Sequence, residues 1–210
     1  MKKFLITIVI LLGIYTVSKA QATQVGTIKN PEFGVNFGFN QAYVSEGQSY
    51  NNSDPVAGIN LGISAEYYFS DRWGIKAKVI YDQKGWGNGF LTTSDGTTLD
   101  GVNFQLNYIT VPVMANWHFA RNRNWYLHFG PYVGFLMSAK ETTDNIDTKS
   151  AFSSTDFGLG LGIGVKIPLS NSVKLFFELE GQGGATNLTN DNSGGTIQSE
   201  RSSINIGITF

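Results

Sequence analysis

The stretch DFGLGLGIGVKI, residues 156–167, decides the fold because its two alternating sets of residues differ sharply in size and polarity. Large apolar side chains fill every second position, and four glycines lie between them, flanked by an acidic and a basic residue. Successive side chains of a β-strand point to opposite faces, so this period of two predicts a strand with one apolar and one small, polar face. The apolar set comprises Phe157, Leu159, Leu161, Ile163, Val165 and Ile167.

The same alternation recurs in seven further segments of the chain. Each is long enough for a tilted strand to cross a bilayer, which takes about 9–11 residues. The sequence therefore predicts an all-β fold, an eight-stranded antiparallel up-and-down transmembrane β-barrel over residues 33–210. The apolar faces of the seven segments begin at Phe33, Ile59, Trp73, Ile109, Trp125, Val173 and Ile204.

The connections between these segments alternate in length. Short ones follow the second, fourth and sixth segments, and long ones rich in Ser, Thr, Asn, Asp and Gly follow the others. Short turns on one rim and long loops on the other are typical of outer-membrane barrels, in which the short turns are periplasmic. The long connections are expected at roughly 44–56, 85–102, 140–154 and 183–200.

The N-terminus has the three parts of a secretory signal. Lys2 and Lys3 form a basic region, and residues 4–17 form a short apolar core. In Ser18-Lys19-Ala20, the small residues Ser18 and Ala20 occupy the two positions that a signal peptidase reads. We expect cleavage after Ala20. An uncleaved membrane anchor is the alternative, although the apolar run is shorter than the ~20 residues of a spanning helix. The expected domains are the signal peptide 1–20, a periplasmic segment 21–32 and the barrel 33–210.

Composition excludes several classes of function. The chain has no cysteine, which excludes disulfides, thiolate metal sites, a cysteine nucleophile and a lipoprotein anchor. Charged residues make up 15% of the chain, against about 25% in ordinary soluble domains. Removing the three lysines of the signal peptide changes the net charge from −1 to −4. A mildly acidic, exported chain is not expected to bind nucleic acid.

Alternation alone fits two kinds of barrel. A soluble, lipocalin-like barrel is apolar inside, whereas a membrane barrel is apolar outside. Glycines on the polar face favour the membrane barrel because they leave room in a narrow lumen for Lys, Glu and Tyr side chains. Aromatic residues near strand ends also favour it, since two girdles fit two lipid–water interfaces. The expected girdles comprise Phe69, Trp73, Trp117, Phe119 and Trp125 at the turn rim, and Tyr43, Tyr81, Trp86 and Phe157 at the loop rim.

The C-terminus also favours export to the outer membrane. The chain ends on Phe210, preceded at alternating positions by Ile208 and Ile206. This ending resembles the signal by which the barrel assembly machinery recognises outer-membrane proteins for insertion. We therefore expect the cell outer membrane as the location, membrane lipid around the wall and the assembly machinery as a partner during biogenesis.

Charged residues on the polar face are expected to fill the lumen. An eight-stranded barrel is just wide enough for side chains, so buried charges must pair to offset desolvation. We expect pairs between neighbouring strands that plug the lumen; a gated ion path through the same residues is the alternative. The expected network has Glu66 beside Lys76, Lys78 and Asp82, and Lys166 beside Glu178 and Glu180.

The two histidines are the remaining candidates for chemistry. His118 and His128 face inward near the turn at 120–124 and are expected to be cross-strand neighbours. Two ligands without a third make a weak metal site, so packing in the lumen is the expected role. A hydrolase is a further alternative, but both histidines lie at the turn rim, away from the long loops. We predict no enzyme activity, catalytic residue, metal or cofactor.

Pro112 and Pro131 lie inside predicted strands, where each removes a hydrogen bond from the ladder. A bulge or a local widening of the sheet is expected near them.

Four motifs resemble the PorT-like outer-membrane β-barrel family of Bacteroidetes: YDQKGW at 81–86, LNYITVPVMANWHF at 106–119, WYLHFGPYVGFLMSAK at 125–140 and DFGLGLGIGVKI at 156–167. The resemblance implies an eight-stranded outer-membrane barrel, of a size similar to OmpA or OmpX, without catalytic residues. One branch of that family is associated with type IX secretion. The expected function is a scaffold that displays extracellular loops and contacts a protein partner through these loops or through the periplasmic rim. The alternatives are a narrow porin-like channel and a PorT-like accessory of type IX protein secretion.

Overall fold

A computed structural model describes residues 31–46, 53–92, 96–190 and 196–210. The predicted signal peptide and almost all of segment 21–32 lie outside these ranges. Within them, eight antiparallel strands pair in chain order and the last pairs with the first, which closes the predicted barrel. The strands are β1 (Glu32–Glu46), β2 (Val56–Tyr68), β3 (Trp73–Thr92), β4 (Thr98–Phe119), β5 (Trp125–Glu141), β6 (Thr155–Pro168), β7 (Lys174–Gly184) and β8 (Ile197–Thr209).

The apolar stripe of each strand points out of the barrel. Leu159 on β6 is 68% exposed, and Ile204 on β8 is 63% exposed. The polar residues between the apolar ones are buried inside, among them Asp82 and Glu180. A soluble barrel has the opposite orientation, so the predicted membrane orientation is the one that the chain adopts.

The glycines of β6 make room for large side chains of the neighbouring strand. Gly162 lies opposite His128, and Gly164 lies opposite Tyr126. A Cβ atom added at either glycine would collide with the facing ring. In the motif at 156–167, the large apolar residues therefore cover the outside of the barrel, and the glycines leave space for aromatic rings inside.

The two prolines interrupt the ladder without shifting its register. Toward β3 the pairs of Val111 and Pro112 are missing, and toward β5 the pair of Val113 with Pro131 and the next one are missing. The register before and after each gap is the same. The expected bulge is therefore wrong at these positions, and the local widening of the sheet stays a prediction. Proline has no N–H to donate, but neighbouring pairs keep the strands aligned.

The connection predicted at 85–102 is mostly strand. β3 continues to Thr92 and β4 starts at Thr98, with register shifts near Gly89. The hairpin extends because apolar residues in this stretch pack inside the mouth of the barrel. The connection after β5 contains a short 3-10 helix, Lys149–Ala151. In the described ranges, none of the helical segments is long and apolar enough to cross a membrane.

Candidate functional site: the charged lumen

Lys78 occupies the centre of the lumen. Its ammonium nitrogen lies 2.5 Å from a carboxylate oxygen of Glu178 and 2.5 Å from one of Glu180, both on the far wall. Lys76 lies 3.2 Å from the other oxygen of Glu178, to which Tyr126 also donates a hydrogen bond. Each charge is paired and hydrogen-bonded, which is the condition for burying charges without a large penalty.

A second group of charges lies toward the turn rim. Lys166 donates to Glu66 at 2.8 Å and also to Glu32, which accepts from Lys174. The Glu66 carboxylate lies 2.6 Å from the Nε2 atom of His118. These contacts join β1, β2, β4, β6 and β7, so the charges hold the turn end of the barrel together from inside.

A third group lies toward the loop rim. The guanidinium of Arg201 lies 2.5 Å from Glu180 and 3.3 Å from Asp82. In the same group, Lys84 lies 3.1 Å from Asp156. Arg201 therefore extends the group around Lys78 toward the loop rim, because Arg201 and Lys78 both pair with Glu180.

All seven predicted luminal charges are buried, but their partners differ from the expectation. Lys166 does not pair with Glu178 or Glu180 on the next strand but with Glu66. Glu178 pairs instead with Lys76 and Lys78, which lie across the lumen on β3. The physical reason is the narrow lumen, which long side chains can cross. Period-two reasoning assigns a side chain to a face but does not say how far it reaches.

Several members of the network were not identified from the sequence. The two-residue period places them on the inner face, because Lys84 lies two residues after Asp82 and Arg201 lies two residues before Ser203. Asp156 is the first residue of the motif at 156–167. The members missed are Glu32, Asn40, Asn60, Lys84, Asp156, Arg201 and Asn205.

The two histidines are separated in the lumen. His118 pairs in register with Tyr126, not with His128, and the Tyr126 ring lies between the two imidazoles. The ring nitrogens of His128 have no hydrogen-bond partner among the described residues and lie 3.8 and 3.7 Å from Glu178 and Glu180. This trio has metal-ligating atoms within 4.8 Å of one another. The cation between its carboxylates, however, is the Lys78 ammonium.

An apolar cluster caps the lumen at the loop rim. Trp86, predicted to lie in the outer girdle, is instead buried there at 7% exposure, against Phe104 and Phe152. The prediction is wrong because Trp86 is an odd number of residues from outward-facing Tyr81 and so falls on the inner face. The cluster, here called the apolar cap, comprises Val44, Trp86, Val102, Phe104, Leu106, Tyr108, Leu136, Ala139, Phe152 and Leu188.

The other predicted girdle residues are on the outer side of the barrel. At the turn rim, the Trp117 ring stacks between those of Trp73 and Phe119, with ring centres 6.2 and 5.2 Å apart. Phe69 and Trp125 lie on the same rim, and Tyr43, Tyr81 and Phe157 are exposed toward the loop rim. Their contact with the lipid–water interfaces stays a prediction.

The last residues of the chain complete the ring. Ile206 and Ile208 are exposed on the outer face of β8. The backbones of Phe210 and Phe33 exchange two hydrogen bonds of 2.8 and 3.0 Å, where β8 meets β1. Recognition of this ending by the assembly machinery stays a prediction.

Comparison with known proteins agrees with this architecture. No curated protein matches the chain. Among solved structures, Neisserial surface protein A is similar, with a TM-score of 0.51, 18% identity, 87% of this chain covered and 100% of that one. OprG of Pseudomonas aeruginosa has a TM-score of 0.48 and 12% identity, covering 87% of this chain and 96% of that one. Residues 19–190 match the family described as outer membrane protein beta-barrel domain, and the chain belongs to that family.

Proposed function

We propose that this outer-membrane barrel is a non-conducting scaffold that presents its loop rim to a protein outside the cell. The observation that carries the proposal is the double closure of the lumen. Lys78 and Glu178 are only 3 and 2% exposed, and the apolar cap lies beyond them. A wall that is rigid and filled suits the display of loops, where binding residues concentrate.

The β3–β4 hairpin is the main candidate for contact with that protein. Phe90, near its end, is 69% exposed, and Leu91 packs back against the apolar cap. An exposed aromatic side chain on a supported hairpin is the kind of anchor that protein interfaces use. The other partners in this proposal are membrane lipid along the wall and the assembly machinery during insertion.

Conductance across a planar bilayer tests the scaffold. The purified wild-type protein is expected to give no steady openings. Steady openings that Lys78→Ala alters would favour the narrow porin-like channel. Lys174→Ala is the matched control because it removes the same type of charge at the turn rim, where the side chain is 38% exposed.

The finer placement in the PorT-like family is a separate part of the proposal. It rests on the four motifs at 81–86, 106–119, 125–140 and 156–167. Deletion of the gene is expected to leave export of type IX cargo unchanged if the protein is a scaffold. Loss of that export would favour the secretion accessory.

The proposed function is non-enzymatic. His128, the base that a hydrolase would need, is buried between Glu178 and Glu180 inside the lumen. The purified protein is therefore expected to leave lipid and peptide substrates intact. Hydrolysis that disappears in His128→Ala would contradict this.

A further inference from the structure

The apolar wall ends abruptly on the outer face of β4 and β5. Ile109 and Phe135 form the last outward apolar cross-strand pair. One step further toward the loop rim, Asn107 lies opposite Ser138, and its side-chain amide donates to the Ser138 hydroxyl at 2.9 Å. Asn107 faces outward by ordinary alternation with Ile109, while Tyr108 between them is buried inside. Ser138 faces outward because the register shift at this point leaves Met137 unpaired, so that two successive residues of β5 lie on the outer side.

These polar residues line a cleft in the outer wall. The cleft has a volume of about 410 Å³. Its position directly above the apolar band is the level of lipid headgroups in the outer leaflet. The residues that line it are Gln105, Asn107, Ser138, Lys140, Thr142 and Asn145.

The basic residues of the four long connections lie close to this cleft. The connections 44–56, 85–102, 140–154 and 183–200 contain nine acidic residues and two basic ones, which are Lys140 and Lys149. Lys140 lines the cleft, and the ammonium of Lys149 lies 2.8 Å from the carbonyl oxygen of Met137, the residue before Ser138. Both lysines of these four connections thus lie near the end of β5, Lys140 in the lining of the cleft and Lys149 next to it.

Both ammonium groups have neutral partners. Lys140 donates to the side-chain oxygen of Asn145 at 3.0 Å, and Lys149 to the Met137 carbonyl. The connection that carries both lysines also contains Glu141, Asp144 and Asp147. The Asp147 carboxylate accepts from the backbone N–H of Lys149 at 2.9 Å, and the Glu141 carboxylate accepts from the backbone N–H groups of Thr143 and Asp144. Among the described residues, ion pairs within 4.0 Å join no carboxylate to either lysine.

We propose that this cleft binds the phosphorylated sugar headgroup of an outer-leaflet lipid. Lys140 and Lys149 supply the charge for a phosphate, which forms charge-assisted hydrogen bonds with ammonium groups. The amides and hydroxyls of Gln105, Asn107 and Ser138 supply donors and acceptors for sugar hydroxyls. The acyl chains of such a lipid would lie against Phe135 and Ile109 below.

The test measures lipid binding by the full mature chain, refolded in phosphatidylcholine nanodiscs that contain lipid A. Native mass spectrometry counts the lipid A molecules retained, and titration gives the Kd. The double variant Lys140→Ala/Lys149→Ala is expected to weaken binding about tenfold or more. The matched control, Arg72→Ala/Arg121→Ala, removes two charges at the turn rim and is expected to leave the Kd unchanged.

Further measurements distinguish the headgroup from other anions. The wild-type protein is expected to bind dephosphorylated lipid A with the same weak Kd that the double variant has for lipid A. Millimolar inorganic phosphate is expected not to compete with lipid A for the wild-type protein. Equal binding of the dephosphorylated lipid, competition by free phosphate, or an unchanged Kd in the double variant would each overturn the proposal. A folded barrel runs at different gel positions with and without boiling. If the double variant fails to show this gel shift, Lys149→Gln, a change at an exposed site, is the second variant.

Discussion

The Lys78 ammonium on β3 lies 2.5 Å from the Glu178 carboxylate on β7, although 100 residues separate them in the chain. β3 and β7 are four strands apart in a ring of eight, so they face each other across the lumen. Strand pairing alone never brings these two residues together. The contact exists because the ring closes, and it in turn braces opposite walls of the barrel.

Removing the Glu178 carboxylate is expected to destabilise the barrel strongly. Glu178→Ala leaves Lys76 without a charge partner and Lys78 with Glu180 alone. Breaking a buried ion pair in this way costs about 3–5 kcal/mol of the free energy of unfolding. Urea unfolding in lipid vesicles, followed by tryptophan fluorescence, measures the change.

The control for this variant is the exposed pair of Arg123 and Asp71 at the turn rim, 3.1 Å apart. Arg123→Ala is expected to change the free energy of unfolding by at most about 1 kcal/mol, because solvent screens such pairs. Equal effects of the two variants would show that the luminal charges do not brace the wall.

Gly162 is expected not to tolerate a side chain as long as His128 occupies the paired position on β5. A methyl group at Gly162 would overlap the Nε2 atom of the imidazole, so Gly162→Ala should lower the melting temperature. The loss should be smaller in Gly162→Ala/His128→Ala than the sum of the two single losses, because the double variant removes the clash. Thermal gel-shift assays measure all three variants.

Gly181 on the outer face of β7 serves as the control for Gly162. The nearest atom to an added Cβ there is the Leu161 carbonyl oxygen at 4.0 Å, so Gly181→Ala has ordinary space. Its melting temperature is expected to match the wild type. A strictly additive double variant at 162 and 128 would rule out the proposed steric conflict.

The apolar cap is expected to contribute measurably to stability. Trp86→Ala removes a large ring packed on Phe104 and Phe152 and should cost about 3–5 kcal/mol, as for other buried aromatics. Trp125→Ala, at an exposed position on the turn rim, should cost less because lipid or water fills the space. Urea unfolding in vesicles compares the two variants; an equal cost would place Trp86 outside a packed core.

Period-two alternation was sufficient for the strands, their order and their orientation. Counting from Tyr81 also places Trp86 inside, and the girdle prediction is wrong there because it rests on aromatic character alone. The abundance of Gly, Ser and Thr predicts a loop at 85–102, whereas β3 continues to Thr92 and β4 starts at Thr98. In both places the contacts that decide the structure come from elsewhere, since Phe104 and Phe152 cover this region.

The sequence by itself determined which side chains face lipid and which face the lumen, because that choice depends only on the two-residue period of a strand. It also determined that the lumen is charged. Only the tertiary structure decided that Lys166 pairs with Glu66, that Lys78 pairs with Glu178, and that Lys140 and Lys149 gather beside one cleft. These relationships depend on closure of the ring and on the reach of long side chains, neither of which is encoded in local periodicity.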